Sequence, residues 1–592
     1  MQNEKRNFSN SAKMISNLYE ASAKYHIGFI QLINRKLEDV QEADVKEQII
    51  VANSFIRSAE NAYSKPEVAI DHIFTWIHNW LEICNSTMTN FIEDKAPVET
   101  TKDSRFSSEL WNKNPAFHFI QSSYLMNQGW IMGLIHKLNE ANSKDMHKVS
   151  FYTKQIIDAM SPSNFPFTNP DVIKQTIESN GENLVSGADN FLEDVERSQD
   201  NFSIASTDFD AFKVGENLAI TKGSVVFQND LMQLIQYEST TSKVYKKPLV
   251  IMPAWINKYY ILDLQEKNSF VKWIVDQGYT VFMISWKNPT SEDASKTFSD
   301  YMVYGPLAAI TKVKELTGEA NVNMVGYCLG GTLLAATAGY IKAKELKSIN
   351  SLTFLTTLVD FKESGDLSVF IDEEQIKLLE SRMSDAGYLD GADMATTFSM
   401  LRANDMIWSF YVNNYLMGKD PFPFDILYWN ADSTRLPAAM HSFYLRNMYQ
   451  KNLLKKAGGI TLNDIPIDLS TIDLPTYILA AKSDHIVPWK SAFGAMSLYS
   501  GDVRFVLTDS GHVAGVVNHP SKQKYCYWIN EKSQSDHKSL SPSAWFKHAS
   551  KYPGSWWNDW ISWMNQRSDI MISASPINPK TIIEPAPGRY VK

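Results

Sequence analysis

Cys328 stands in Gly326-Tyr327-Cys328-Leu329-Gly330-Gly331, a G-x-C-x-G pattern that follows the apolar run Val322–Tyr327 and precedes the helical stretch TLLAATAGYIKAKEL. A thiol held on a tight turn between strand and helix has the setting of a nucleophile. Flanking glycines remove side-chain collisions around a strained backbone. The helix points its amino end at the thiol, which favours a thiolate and any oxyanion formed beside it. A small cysteine packed in the core is the plain alternative for the pattern by itself. The strand before and the helix after favour chemistry.

The arrangement resembles the nucleophile elbow of α/β-hydrolases, with cysteine in the usual place of serine. In that fold the nucleophile is followed along the chain by an acid and then a base, each on a loop after a later strand. Asp484 lies in Lys482-Ser483-Asp484-His485-Ile486-Val487-Pro488, after the apolar run PTYILAA. His512 lies in Ser510-Gly511-His512-Val513-Ala514-Gly515, after DVRFVLTD. The order Cys328, Asp484, His512 is the required one. His485 is the competing base; as the immediate neighbour of the acid it reads better as a substrate-contacting group, or as a loop histidine without a chemical role. Backbone N–H groups of Leu329, after the nucleophile, and of Ile256, in the loop after the first core run, are the expected oxyanion donors.

These residues need a scaffold, and periodicity supplies one. Residues 1 to about 215 read as mostly helical, with apolar residues three and four apart in SNLYEASAKYHIGFIQLINRKL and PEVAIDHIFTWIHNWLEICN. Turn-like breaks fall at Lys95-Ala96-Pro97 and at Ser161–Pro166. From about residue 216 to 592, short apolar runs alternate with helical stretches: 247–256, 279–286, 322–327, 351–360, 475–481 and 502–509. Such alternation predicts a parallel sheet covered on both faces. An aromatic-rich stretch of about 361–446 interrupts it and reads as a helical cap insertion. Trp556, Trp560 and Trp563 share one helical face, for packing in a core or for contact with an apolar surface.

Composition narrows the function classes. The chain has 592 residues, 44% hydrophobic and 21% charged, with 57 Lys plus Arg against 66 Asp plus Glu and a net charge of −9. A disordered chain and a general nucleic-acid binder are both disfavoured. Three scattered cysteines make neither a disulfide framework nor a cysteine metal site, so a reducing compartment is expected and no metal. The first residues have no apolar signal core, and no apolar run approaches the length of a membrane span. The expected location is the cytoplasm.

Several longer motifs resemble polyhydroxyalkanoate synthases. They are Gly326–Thr332, Ile256-Asn257-Lys258-Tyr259-Tyr260-Ile261-Leu262-Asp263-Leu264, Asp484–Trp489, Ser510–Gly515 and the tail Glu584-Pro585-Ala586-Pro587-Gly588-Arg589-Tyr590-Val591. The likeness also takes in Arg105-Phe106 with Trp111, and residues 160–191, but not the variable first 95 or so. It implies a class I enzyme that polymerises (R)-3-hydroxyacyl-CoA, chiefly 3-hydroxybutyryl-CoA, and releases CoA, with no cofactor beyond the CoA its substrate carries. It also implies Cys328 as acyl carrier, His512 as base and Asp484 as third member, with Trp429 and Tyr444 near the substrate. A homodimer on polymer granules is implied too, with phasins as possible partners and residues 1–95 as a contact region. A thioesterase, esterase or polyester depolymerase on the same fold is the rival reading.

Overall fold

The computed structural model describes residues 2–38, 42–63, 65–93, 101–138, 144–198, 202–531, 540–568 and 570–592. The chain forms two compact units, Met1–Asp208 with Thr396–Phe422, and Phe209–Ala395 with Pro423–Lys592. The boundary near 215 drawn from the sequence thus falls at 208/209. The stretch 361–446 is divided: its middle, Thr396–Phe422, belongs to the helical unit.

The helical unit contains α1 (Gln2–Glu38), α2 (Glu42–Tyr63), α3 (Pro66–Ile92), α4 (Pro115–Leu138), α5 (Lys144–Ala159), α6 (Pro170–Glu178) and α7 (Glu182–Arg197). On α3 one face is committed to α4: the Trp76 indole N–H donates to Asn127 Oδ1 at 2.9 Å, and Trp80 meets Phe119 edge-on at 5.5 Å. The other face leaves Ile70, Phe74, Ile77, Leu81, Met88 and Phe91 exposed. Of the two expected breaks, Ser161–Pro166 is a short 3-10 turn at Pro162–Asn164, and Lys95-Ala96-Pro97 lies outside the described residues. Asn169 then caps α6 with Pro170 in its first turn. Residues 411–416 lie against α7, with the Tyr415 carbonyl so close to Gly187 that any side chain there would collide.

The second unit is built on an eleven-stranded sheet among the described residues. Its strands are β1 (Gly223–Gln228), β2 (Met232–Tyr237), β3 (Leu249–Met252), β4 (Val281–Trp286), β5 (Val322–Tyr327), β6 (Ile349–Leu355), β7 (Thr476–Ala481), β8 (Val503–Thr508), β9 (Cys526–Ile529), β10 (Ser550–Pro553) and β11 (Glu584–Pro585). The spatial order is β10-β9-β8-β7-β6-β5-β3-β4-β2-β1-β11. The six strands expected from sequence form the central parallel block, β4-β3-β5-β6-β7-β8. Antiparallel strands extend it on both sides. β3, β4, β5 and β7 are buried along their whole length, which is why they read as continuous apolar runs rather than alternating ones.

The helices of this unit include α8 (Phe270–Asp276), α9 (Ala308–Thr317), α10 (Leu329–Ala343), α11 (Glu373–Ala386), α12 (Asp425–Ala431), α13 (Ala438–Tyr444) and α14 (Trp557–Asn565). The tryptophans of α14 serve the core, as does Trp556 before it: Trp556, Trp557 and Trp560 are fully buried, with Phe270 at 4.7 Å from Trp557. A tryptophan-rich surface at this end is therefore ruled out. Their N–H groups also fasten a loop. Trp556 donates to the Gly515 carbonyl at 3.0 Å and Trp557 to that of Val516 at 2.9 Å.

The loop after β3 is tied down by a buried carboxylate. Asp263 Oδ1 accepts the hydroxyls of Thr221 at 2.5 Å and Ser269 at 2.6 Å, and Ser269 also caps α8. Asp263 Oδ2 is buried without a hydrogen-bond partner among the described residues, and burial raises the carboxyl pKa to about 6. Segment 425–435 braces the same loop from the cap side. Trp429 Nε1–H donates to the Lys258 carbonyl at 2.7 Å, and Asp432 accepts Tyr260 O–H and Lys258 Nζ, each at 2.8 Å.

Candidate active site

β5 delivers Cys328 to the carboxyl edge of the sheet. Its backbone angles, φ 53° and ψ −122°, are ones that side-chain-bearing residues seldom adopt. The turn survives because its neighbours are glycines: a Cβ on Gly326 would stand 2.5 Å from Gly331 Cα. It is fixed by hydrogen bonds from Cys328 N–H to the Leu355 carbonyl and from Gly331 N–H to the Cys328 carbonyl, both 2.9 Å. Leu329 is the first residue of the fifteen-residue α10, so its N–H has no acceptor within the helix. Ile256 lies in the loop that leaves β3, and β3 pairs with β5 up to Met252 and Gly326. Gly330 touches the Met252 and Pro253 carbonyls, so both expected oxyanion donors belong to segments in direct contact.

Asp484 and His512 come together from the loops after β7 and β8. His512 Nδ1–H donates to Asp484 Oδ2 at 2.7 Å, and the Asp484 side chain is wholly buried. Asp484 Oδ1 accepts the N–H groups of Ile486 at 2.9 Å and Val487 at 2.8 Å. Burial of His512 works against its charged form, but Asp484 and then Cys328 outweigh it and hold the imidazole pKa well above its usual value. Cys328 is close enough to the same imidazole for its charge to favour the protonated ring. The three residues expected from chain order therefore form one cluster.

The remaining candidates separate. His485 is half-buried beside Asp484, and its carbonyl packs against Gly365. Trp429 is buried with its N–H spent on Lys258, so it acts on the loop after β3. Tyr444 is buried within the field of the nucleophile: burial first, then Tyr449 and Cys328, keep its phenol protonated. Two residues escaped sequence reasoning. Tyr449, on a π-helical turn Leu445–Gln450, meets Tyr444 edge-on at 5.5 Å and lies within the field of Cys328 and Asp484. Tyr327 packs its ring on His512, centroids 5.7 Å apart. Tyr327 stood inside the motif as its variable position; nothing in the pattern around Tyr449 marks it. Among the described residues no group of His, Cys, Asp and Glu is placed to hold a metal ion.

A central parallel sheet with a cysteine elbow and later acid and histidine loops defines an α/β-hydrolase-fold protein. Residues 247–518 match the family model described as alpha/beta hydrolase fold. Residues 102–274 match the model described as Poly-beta-hydroxybutyrate polymerase (PhaC) N-terminus. The Poly(3-hydroxyalkanoate) polymerase subunit PhaC of Rhizobium meliloti (strain 1021) is 45% identical over 514 residues, covering 87% of this chain and 83% of that one. The Poly(3-hydroxyalkanoate) polymerase of Methylorubrum extorquens is 42% identical, covering 92% and 90%. The corresponding subunit of Cupriavidus necator is 41% identical, covering 83% of each chain. The chain belongs to the poly(3-hydroxyalkanoate) polymerase family, whose members are acyltransferases.

Proposed function

We propose that this enzyme polymerises (R)-3-hydroxyacyl-CoA into polyhydroxyalkanoate through an acyl thioester on Cys328. The observation that carries the reading is the Cys328–His512–Asp484 cluster in a chain of this family. His512, its Nδ1–H engaged by Asp484, takes the Cys328 proton on Nε2. The thiolate attacks the thioester carbonyl, and the oxyanion meets the N–H groups of Leu329 and Ile256. The C–S bond to CoA breaks, the imidazolium returns its proton to the departing sulfur, and the acyl group rests on Cys328. Thiol replaces thiol, so the acyl group stays activated.

A 3-hydroxyl then gives its proton to His512 and attacks the Cys328 thioester. The products are an oxygen ester and the restored thiol, a downhill exchange. The 2.7 Å contact between His512 and Asp484 supports an orienting role for the carboxylate. The chemistry calls on no cofactor beyond the CoA the substrate brings.

The exposed apolar face of α3 supports contact between the helical unit and the polyester granule, with or without phasins. Among the described residues no helix is long and apolar enough to cross a membrane. A cytoplasmic, granule-bound homodimer is the assembly that family resemblance favours.

The test follows free CoA thiol and extractable polyester together from (R)-3-hydroxybutyryl-CoA, with Cys328→Ala alongside. Both rise with the parent enzyme and neither with the variant. Release of CoA with only free 3-hydroxybutyrate would replace the reading with a thioesterase.

A further inference from the structure

Tyr327 takes no part in the steps above, yet its phenol is placed against them. The residue is 2% exposed, and its hydroxyl is buried with no hydrogen-bond partner among the described residues. Its ring lies 5.7 Å from the His512 imidazole at an interplanar angle of 30°. Buried polar groups are nearly always paired, so an orphaned phenol beside a reacting histidine calls for an acceptor.

The acceptor inventory supplies one. Each oxygen of a carboxylate has room for two hydrogen bonds. Asp484 Oδ1 fills both places with the N–H groups of Ile486 and Val487, whereas among the described residues Oδ2 takes only His512 Nδ1–H. The buried O–H of Tyr327 stays protonated, first through burial and then through the neighbouring Cys328 and Asp484, so it remains a donor at any working pH.

We propose that Tyr327 is a positioning residue that tunes the base: its O–H donates, across one water, to the remaining place on Asp484 Oδ2, while its ring backs the imidazole. Sharing the carboxylate charge in this way weakens its pull on His512 and limits how far the imidazole pKa is raised. The other ionisable groups facing this pair are Cys328 from the elbow, Tyr444 from α13, Tyr449 from the π-helical turn and His485 beside Asp484. Among the described residues only Tyr327 pairs its ring with His512. The inference rests on the Cys328–His512–Asp484 reading.

Tyr327→Phe removes the hydroxyl and keeps the ring. The profile of kcat/KM for CoA release against pH has an acidic limb where His512 must give up its proton. In the variant that limb moves up by about half a pH unit, a roughly threefold loss below the limb with the plateau retained. A uniform loss at every pH, an unmoved limb or a downward shift would overturn the inference. Cys328→Ala separates the two levels. If it still releases CoA, the underlying reading fails; if it is inactive while the Tyr327→Phe limb stays in place, only the role of Tyr327 fails.

Discussion

Gly330 is held in backbone contact with Met252: a methyl group on Gly330 would stand 2.3 Å from the Met252 carbonyl oxygen. This contact seats the first turn of α10 on the end of β3. It thereby relates the Leu329 N–H to the loop that carries Ile256. Gly330→Ala must push the two apart against rigid backbone. The expected cost is about 1–3 kcal/mol, read as a lowered thermal midpoint, together with loss of CoA release. A variant with unchanged stability and full activity would show that the elbow tolerates a side chain there.

Asp484→Asn tests the orienting carboxylate. The amide can still accept the N–H groups of Ile486 and Val487, so the loop keeps its shape. It cannot hold the imidazolium by charge. CoA release is expected to fall on the order of 10³-fold with an unchanged circular dichroism spectrum.

Asp263 predicts a pH dependence of stability that is separate from catalysis. Its native pKa of about 6 lies above the ordinary carboxyl value of 3.8. Between those values the native state keeps a proton that the unfolded chain has lost. The stabilisation is complete below about pH 4 and is lost as pH rises through about 6. Asp263→Asn cannot lose it. Denaturant unfolding at about pH 4.5 and pH 7.5 should show the parent losing roughly 2 kcal/mol more than the variant over that interval.

The α3 face predicts a separable attachment function. Phe74 and Leu81 are 66% and 60% exposed, so a charge at either costs the fold little. Phe74→Glu with Leu81→Glu should lower the share of enzyme that sediments with polyester granules while early CoA release stays unchanged. Equal sedimentation would remove α3 from the contact.

The elbow was legible because all its requirements are local. The end of a strand, two glycines and the start of a helix sit within a dozen residues, and four of the six parallel strands announce themselves by full burial. Asp484 and His512 were legible through chain order, since the fold dictates which strand ends carry them. Tyr449 was not, because it approaches Cys328 from 121 positions away, and no periodic signal survives such a distance. Residues 396–422 read as part of one continuous cap because their aromatics resemble those around them. Their partners are what distinguish them: Tyr415 packs edge-on against Phe191 at 5.4 Å, a pairing that sequence proximity cannot reveal.

The indole clamps on Gly515 and Val516 give the order of synthesis a chemical meaning. A ribosome that has already delivered Cys328 has still to make the loop of His512 and, after that, the tryptophans that fasten it. The loop of His512 is thus fastened by residues that follow it in the chain. A chain that stops short of α14 lacks both indole clamps on that loop, and its release of CoA is expected to fall below that of the full-length chain.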